Sequence, residues 1–345
     1  MKIKPLWHRF LFVACLVYFM GLLLFFALQK YLADWPSWFT LVSTFSIFLF
    51  VPFPLILIIT WQIRSRIILT LSFGMLILFS ILFGHLFLPR PTASPLDDAT
   101  LISFTTFNLG PGTAKPEQVV TEVEATDSDI IAVQEMTAET AQLLKTRLAK
   151  KYPNQILNVT THSTGLLSRY PISASEWFQP ASEGRGTLYT LIIVKGSPLH
   201  LFAPHLLPPD ITWWKDYPIP IGLDDQPQQR QLADIANRAN AIGSQVVIMG
   251  DLNINDQTHA YPQLASKFRD TYREVGWGLG YTFPSGLRIH NLFPNSALLG
   301  TIPVPGPLVR LDYIFHTADI TAQDAHVHCR GGSDHCYLTA KLRLQ

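Results

Sequence analysis

Charged residues are scarce in this chain of 345 residues, and they are scarcest near its amino terminus. Asp, Glu, Lys and Arg together make up only 15% of the sequence, which is below the share usual in soluble domains. Three stretches, at about 10–28, 39–61 and 67–88, contain none of these four residue types. This distribution argues against a wholly soluble protein and predicts an apolar amino-terminal part.

Cysteine is also scarce, with three residues in the whole chain. Cys15 lies in the first apolar stretch, whereas Cys329 and Cys336 flank the segment GGSDH near the carboxyl terminus. In an oxidising compartment the last two could form a disulfide. The other interpretation is a pair of reduced cysteines on neighbouring strands, and the sequence leaves both open.

Each apolar stretch is long enough to cross the roughly 30 Å hydrocarbon core of a bilayer as a helix. Residues 1–88 are therefore predicted to be an anchor of three transmembrane helices. Pro52 and Pro54 predict a kink in the second helix, which membrane spans tolerate. A cleaved signal peptide is the alternative for the first stretch, but that stretch is long, lacks an A-x-A site and precedes two more apolar stretches.

The charges are distributed unevenly between the two parts of the chain. Residues 1–90 contain seven Lys or Arg and one acid, a net +6, whereas residues 91–345 contain 19 Lys or Arg and 24 acids, a net −5. Lys2, Lys4 and Arg9 precede the first apolar stretch, and Arg64 and Arg66 separate the second from the third. The positive-inside rule places both basic segments in the cytoplasm. Three crossings of the cell membrane then put the rest of the chain on its outer face.

The part of the chain after the apolar stretches has the pattern of one layered domain. Segment 89–100, PRPTASPLDDAT, is rich in Pro, small residues and acids and is predicted to be a linker. Between residues 101 and 345, strand-like runs such as LISFTTFN and VVIMGD alternate with helical patterns at 116–126, 138–151 and 228–242. This alternation predicts an α/β sandwich in which helices cover the sheets.

Several of the apolar, strand-like runs end in a carboxylate, an amide or an imidazole. These polar residues are Asn108, Glu135, His205, Asp251, Asn253, Asp312, Asp334 and His335. A sheet-based domain can collect such residues from distant parts of the chain into one cleft. The set contains no Cys or Ser nucleophile, and its acids, amides and two histidines favour metal-dependent hydrolysis of a phosphoester.

Three of these motifs also have a structural interpretation. Asp251 and Asn253 in GDLN are compatible with an Asx turn after a strand. Glu135 ends a buried run, where a carboxylate needs a partner such as Mg²⁺, but it could instead interact with the dipole of the following helix. His205, taken alone, has the pattern of a satisfied core histidine.

The carboxyl-terminal motif SDH places Asp334 beside His335, and Asp312 lies 22 residues before Asp334. A carboxylate beside an imidazole holds the histidine in one tautomer and supports its positive form. Such a pair suits a base for water or a cation that faces phosphorus. The remaining histidines considered lack such neighbours and are interpreted as incidental: His162, His290, His326 and His328.

In this order, the motifs FN, QE, GLLSRYPI, APHL, GDLN, LDYIF and SDH resemble those of the endonuclease/exonuclease/phosphatase superfamily. That superfamily includes deoxyribonuclease-like nucleases, abasic-site endonucleases and neutral sphingomyelinases. The resemblance covers about residues 101–345, and the shared order of the motifs makes it specific. It implies a four-layer α/β sandwich, dependence on Mg²⁺ with Mn²⁺ as a substitute, and in-line attack by water.

The resemblance also implies roles for nine residues. They are the metal-binding Glu135, Asn108 and Asp334, the catalytic Asp251, Asn253, Asp312, His205 and His335, and Arg185, which with Asn253 would bind the substrate phosphate. The sequence departs from the family pattern at Ala203, where an amide is usual. It departs again after Asn108, where Leu-Gly follows instead of another acid and argues against abasic-site chemistry.

Membership of such a family predicts the reaction, hydrolysis of a phosphoester, but it predicts the substrate less well. The membrane anchor and the net acidic soluble part favour a lipid-linked phosphate, pyrophosphate or phosphodiester over nucleic acid. An insertion at 210–223 adds Trp213, Trp214 and Tyr217, which either contact lipid headgroups or pack against the sandwich. A surface-tethered nuclease and a catalytically silent binding module are the alternatives, and the oligomeric state stays open.

Overall fold

The structure is a computed structural model of the chain. It describes residues 6–32, 35–63, 65–88, 101–110, 115–160, 163–215, 219–287 and 302–344. The predicted linker at 89–100 and Tyr217 of the insertion lie outside the described residues.

The amino-terminal apolar part contains four α-helices and two 3₁₀ segments. They are α1 (Leu6–Tyr31), α2 (Ser37–Thr44), a 3₁₀ segment (Ser46–Phe50), α3 (Phe53–Ile63), α4 (Arg66–Phe83) and a second 3₁₀ segment (Gly84–Leu86). In the part of the chain that the structure describes, Arg9–Tyr31 and Arg66–Leu86 are long and apolar enough to cross a membrane. A third crossing exists only if a bent pair of helices counts as one span.

The second predicted span differs from the single kinked helix that the sequence indicated. Its two parts, Ser37–Thr44 and Ser46–Ile59, meet at an angle of 68°, and the break lies at Phe45 rather than at the prolines. Phe45 leaves the helical conformation with φ −106° and ψ 19°, and its N–H donates to Val42 O at 3.2 Å. The physical reason is tertiary: α2 packs on the rest of the chain, so it cannot continue in the direction of α3.

The rest of the described chain contains fourteen strands, five α-helices and one 3₁₀ segment (Pro180–Ser182). The strands are β1 (Leu101–Asn108), β2 (Ile130–Gln134), β3 (Asn154–Asn158), β4 (Thr164–Ser168), β5 (Ile172–Phe178), β6 (Thr187–Val194), β7 (Ser197–Ala203), β8 (Asp210–Trp213), β9 (Pro220–Asp224), β10 (Val246–Asp251), β11 (Arg269–Asp270), β12 (Asp312–His316), β13 (Thr321–His328) and β14 (Tyr337–Arg343). The helices are α5 (Pro116–Thr126), α6 (Ala138–Arg147), α7 (Gln226–Ile242), α8 (Ala260–Ala265) and α9 (Thr271–Val275).

These strands form two six-stranded sheets and a two-stranded ribbon. Sheet 1 has the order β13-β14-β1-β2-β4-β3, sheet 2 has the order β11-β12-β10-β7-β6-β5, and the ribbon pairs β8 with β9. The pairs β1–β2 and β7–β10 are parallel, so the carboxyl ends of both strands in each pair lie at one edge.

Alternate side chains of the central strands pack on opposite faces of each sheet. In β2, Ile130 and Ala132 lie between the two sheets, whereas Ile131 and Val133 pack beneath α5 and α6. The strand β10 alternates in the same way beneath α7 and α8. The layers are therefore helices, sheet 1, sheet 2 and helices, which is the predicted four-layer α/β sandwich.

The apolar helices contact the sandwich at one end. Gln29, near the carboxyl end of α1, donates from Nε2 to Gln257 O at 3.3 Å. Leu86, after the carboxyl end of α4, accepts at its carbonyl oxygen from the N–H of Gly278 at 2.7 Å. Both helices thus approach the sandwich by their carboxyl ends and run in the same direction.

The short helix α2 lies against the β8–β9 ribbon. A Cβ at Gly222 in β9 would lie 2.5 Å from Ser37 Oγ, so glycine is what permits this close approach. Trp213 is the last residue of β8 and is 42% exposed, and Trp214, the next residue, is 53% exposed. Each indole is thus partly covered and partly exposed, so both interpretations of this insertion stay predictions.

A disulfide joins Cys329, after β13, to Cys336, before β14. Of the two interpretations that the sequence allowed, the structure contains the oxidised pair. The loop between them includes Gly331, whose φ of 92° suits glycine, and it carries Asp334 and His335. The disulfide restricts the conformations open to this loop in the unfolded chain.

Candidate active site

The parallel strands β7 and β10 bring a histidine and an acid together at their carboxyl ends. Beyond β7 the ladder continues as a bridge between His205 and Asp251, and His205 Nε2 lies 3.7 Å from Asp251 Oδ2. Gly250 permits this approach, because a Cβ there would lie 2.0 Å from the carbonyl oxygen of Pro204. The glycine of GDLN is thus required by the close contact of two backbones.

The carboxylate of Asp251 is buried and held from two sides. Asn108 at the end of β1 donates from Nδ2 to Asp251 Oδ2 at 2.8 Å, and the N–H of Asn253 donates to Oδ1 at 2.9 Å. Burial raises the pKa of Asp251, and the opposing charge of His335 does not fully offset this. A fixed carboxylate with a raised pKa is suited to accept a proton.

His335 and Asp312 form a buried ion pair. Nδ1 of His335 lies 2.9 Å from Asp312 Oδ2, and the two side chains are 7% and 0% exposed. Burial would lower the pKa of His335, but the negative charges of Asp312 and Asp251 outweigh it and raise the pKa to about 10. The imidazole is therefore positive at neutral pH, with Nε2 3.9 Å from Asp251 Oδ2.

Glu135 and Asp334 add two carboxylates to the same cleft. Glu135 follows β2 with φ 54°, a conformation that is uncommon for residues other than glycine and is often found at functional sites. Its Oε1 lies 3.4 Å from His205 Nε2 and 3.7 Å from Arg185 Nη1. Burial raises the pKa of Asp334; His335 opposes this shift and Glu135 adds to it.

The residues around Glu135 fit a divalent cation. Hard cations such as Mg²⁺ take oxygen ligands, and Glu135 and Asp334 supply carboxylate oxygens. The side-chain oxygen of Asn108 accepts from the N–H of Gly110 at 3.0 Å and would offer the cation its second lone pair. Among the described residues, Asp334 Oδ1 is buried and has no hydrogen-bond partner. A buried carboxylate oxygen without a partner is costly, and a cation would relieve that cost.

A second set of ligand atoms also lies close together in the cleft. Atoms of Asp251, Asp312 and His335 all lie within 4.8 Å of one another. We assign this set to catalysis rather than to metal binding, because His335 Nδ1 and Asp312 Oδ2 already share a hydrogen bond. A positive imidazole has no free lone pair and repels a cation.

The other two residues with implied roles also lie at the cleft. Arg185 contacts the imidazole of His205 and is 37% exposed, so its guanidinium can reach a ligand. Asn253 has φ 49° and donates from Nδ2 to Leu206 O at 3.0 Å. Its amide therefore supports Asp251 and the segment after His205, and a contact with phosphate would require it to turn.

Two supporting residues were not identified from the sequence. Ser333 donates from Oγ to Asn108 O at 2.7 Å and accepts at Oγ from the N–H of His335 at 3.0 Å, so it connects two motifs. Thr282 Oγ1 accepts from the N–H of Asp312 at 3.3 Å. Each makes a hydrogen bond to a distant segment, Ser333 to Asn108 and Thr282 to Asp312, and a sequence contains no local signal for such a contact.

A buried arginine supports the strand that carries Asp312. Arg310 is 1% exposed, donates from Nη1 to Asp270 Oδ1 at 3.2 Å and lies 3.6 Å from Asp256 Oδ2. Asp256 lies three residues after Asn253, and its partners were not predictable because Arg273 in α9 and Arg310 before β12 are distant in sequence or lie in other elements.

The incidental histidines lie elsewhere or are not described. His326 on β13 lies 2.8 Å from Asp324 on the same strand, and His328 lies 3.2 Å from Thr339 Oγ1 on the neighbouring strand. His162 and His290 lie outside the described residues.

Two facing sheets, outer helices and a cleft of acids, amides and histidines define a class of metal-dependent phosphoester hydrolases. The sequence profile of the Endonuclease/Exonuclease/phosphatase family matches residues 105–335. Because the match covers more than half of the chain, this protein belongs to that family. It is a metal-dependent phosphoester hydrolase.

Solved structures share the fold. The endonuclease/exonuclease/phosphatase from Beutenbergia cavernae DSM 12333 has a TM-score of 0.51 at 17% identity, over 71% of this chain and 72% of that one. D. rerio TDP2, complexed with a single-strand DNA product, has a TM-score of 0.53 at 17% identity, over 71% and 99%. A family protein from Bacteroides thetaiotaomicron has a TM-score of 0.51 at 15% identity, over 71% and 98%. No curated protein matches this sequence.

Proposed function

We propose that this protein is a membrane-anchored, outward-facing phosphoesterase, dependent on Mg²⁺ or Mn²⁺, that hydrolyses a lipid-linked phosphate, pyrophosphate or phosphodiester. The main support for the proposal is that the sandwich, which contains the cleft, lies directly against the apolar helices. Through Gln29 and Leu86, the helices α1 and α4 meet it by their carboxyl ends. That arrangement is the one expected of three crossings, and the basic residues before α1 then favour an outer location.

Exposed tryptophans support a position at the bilayer surface. Trp277 is 68% exposed and donates from Nε1 to Phe87 O at 3.2 Å, just after the last apolar helix. Trp213 and Trp214 project from the ribbon that contacts α2. Indole side chains favour the boundary between hydrocarbon and headgroups.

The charge of the cleft favours a lipid over nucleic acid. Its charged lining consists of four acids and two cationic side chains: Glu135, Asp225, Asp251 and Asp334 against Arg185 and His335. A groove that follows a nucleic-acid backbone is usually basic. The nuclease alternative therefore has less support, although TDP2 is similar in fold.

In the proposed reaction, Glu135, Asn108 and Asp334 would hold the divalent cation. When bound, the cation would neutralise charge on the phosphoryl oxygens and polarise the phosphorus centre. Asp251, fixed by Asn108 and Asn253, would orient the attacking water. It would accept the proton of that water as the oxygen bonds to phosphorus.

Positive side chains would stabilise the charge that develops during this attack. Asp312 keeps His335 protonated, so its Nε2–H can donate to a phosphoryl oxygen. Arg185 lies on the other side of Glu135 and His205 and would contact the same phosphoryl group. The bond to the leaving oxygen breaks as the new bond to water forms, without a covalent intermediate.

The decisive experiment measures hydrolysis by the purified full-length protein with and without Mg²⁺, as inorganic phosphate from phosphate and pyrophosphate esters and as the released phosphomonoester from diesters. Polyprenyl pyrophosphate, phospholipids and sphingomyelin are compared with plasmid nicking, and His335→Ala is the control. Lipid turnover that requires Mg²⁺ and is lost in His335→Ala supports the proposal. Nicking without lipid turnover would indicate a tethered nuclease, and neither activity in a folded protein would indicate a silent binding module.

The orientation has its own test. Protease is added to right-side-out membrane vesicles that contain the full-length protein, and to the same vesicles after detergent. Digestion of the catalytic domain without detergent is expected for an outward-facing domain. Complete protection until detergent is added would reverse the proposed topology.

A further inference from the structure

A cavity of about 380 Å³ lies beside the catalytic residues and has two kinds of wall. One wall carries the polar active-site residues, including Asp251 and His335. The other is apolar and is formed by Phe45, Ile211, Leu223, Phe283, Val309 and Leu311. Of the apolar residues, Phe283 packs its ring 4.9 Å from that of His335, and the reaction described above gives the others no role.

Phe45 differs from the rest of this wall because it belongs to the amino-terminal apolar part. It occupies the 68° break between α2 and the following helical segment. Phe39 and Phe50, on either side of it, are 1% and 6% exposed, whereas Phe45 is 36% exposed and lines the cavity. Covering an exposed phenyl ring with an apolar group lowers the free energy, because apolar surface is removed from water.

The helix α2, which precedes the break, is held against the β8–β9 ribbon. Ser37, at the start of α2, lies so close to the ribbon that a Cβ at Gly222 would come within 2.5 Å of its hydroxyl. Thr44, which also lines the cavity, is 5% exposed and donates from Oγ1 to Thr40 O at 2.9 Å. Thr44 and Phe45, from the amino-terminal apolar part, thus form part of the cavity wall.

We propose that Phe45 at this break is a specificity-determining residue, which binds the hydrocarbon chain of a phosphoester substrate where the chain leaves the bilayer. The inference rests on the proposed lipid phosphoesterase function. It places the hydrocarbon chain of the substrate in a site formed by both the amino-terminal helices and the sandwich. The phosphorus lies at Asp251 and His335, and the first methylenes of the chain lie against Phe45, Ile211 and Leu223. A water-soluble phosphoester would leave this apolar surface uncovered and would gain nothing from it.

The test compares two diesters that contain the same scissile bond, hexadecyl p-nitrophenyl phosphate and methyl p-nitrophenyl phosphate. Full-length protein in detergent micelles is assayed for nitrophenol release. Phe45→Ala is expected to lower kcat/KM for the hexadecyl ester about tenfold, because a phenyl-sized apolar contact is lost. The methyl ester should change less than about twofold in the same variant, which also reports that the catalytic residues remain folded.

Phe73→Ala is the matched control. Phe73 lies in α4 of the amino-terminal apolar part and is 64% exposed, and it does not line the cavity among the described residues. It should leave the ratio between the two esters unchanged. An equal loss on both esters in Phe45→Ala, or an equal change of the ratio in Phe73→Ala, would overturn the inference. Phe45→Leu, with a smaller expected loss, replaces the alanine variant if the latter does not fold.

A second measurement does not depend on turnover. Hexadecylphosphonate carrying a diazirine on the chain next to the phosphonate is photolysed with the wild-type protein, and the labelled peptides are identified. Label on the peptide that contains Phe45 is expected. Its absence from that peptide overturns the inference, whereas label there without any lipid hydrolysis would refute the proposed function and leave the binding site in place.

Discussion

A single methyl group at Gly250 should disable the active site by separating two backbones. A Cβ at this position would lie 2.0 Å from Pro204 O, and contacts below about 3 Å between such atoms are not tolerated, so β7 and β10 must move apart by about 1 Å. His205 and Asp251 sit at the ends of these two strands. A displacement of about 1 Å in a catalytic group costs roughly 100-fold in rate, or about 2.7 kcal/mol in activation free energy.

The assay is steady-state hydrolysis of the substrate found for the full-length enzyme, with circular dichroism to show that Gly250→Ala is folded at the assay temperature. Gly74→Ala is the matched control, since no heavy atom lies within 4 Å of a Cβ at Gly74. We expect a loss of roughly 100-fold for the first variant and wild-type activity for the second. Activity of folded Gly250→Ala within about threefold of wild type would refute the argument from close approach.

Three further outcomes are expected. Replacing His335 with Ala should lower kcat by roughly 1,000-fold or more, since both a positive group and an Asp312 partner are lost, and a loss below tenfold would contradict its role. Replacing Cys329 and Cys336 with Ser should lower the free energy of unfolding by about 2–3 kcal/mol, from loop closure over seven residues. A melting temperature that is unchanged by a reducing agent would oppose this. Replacing Arg310 with Met should cost about 3–5 kcal/mol in denaturant unfolding, because buried Asp270 loses its partner, and a loss below 1 kcal/mol would show that the pair is not needed.

The sequence predicted those features of the fold that local patterns carry. A short, continuous apolar run such as VVIM predicts a strand that is buried on both faces, and the structure places β10 between α7 and the opposite sheet. The order of the polar motifs was enough to indicate the family, because each motif keeps its place next to the start or the end of a strand. The charge-free stretches likewise predicted the long apolar helices α1 and α4.

The cleft could be predicted only as a set of residues. Asn108 and Asp251 are separated by 143 residues and form a hydrogen bond of 2.8 Å, and the structure alone shows that this amide turns toward that acid. Ser333 was missed for the same reason, since its two hydrogen bonds connect segments with no shared sequence pattern. Whether Cys329 and Cys336 pair was also open until the ends of β13 and β14 were placed side by side.

The break at Phe45 shows most clearly what sequence and structure each determine. Hydrophobicity marked residues 39–61 as one membrane span, since composition measures the preference for hydrocarbon and not the direction of the chain. The two prolines predicted a bend near residue 52, where the 3₁₀ segment ends and α3 begins, but the 68° bend lies at Phe45. The bend occurs at Phe45 because α2 packs on a ribbon that lies about 180 residues later in the chain, and a contact of that kind arises from the packed surfaces of both segments.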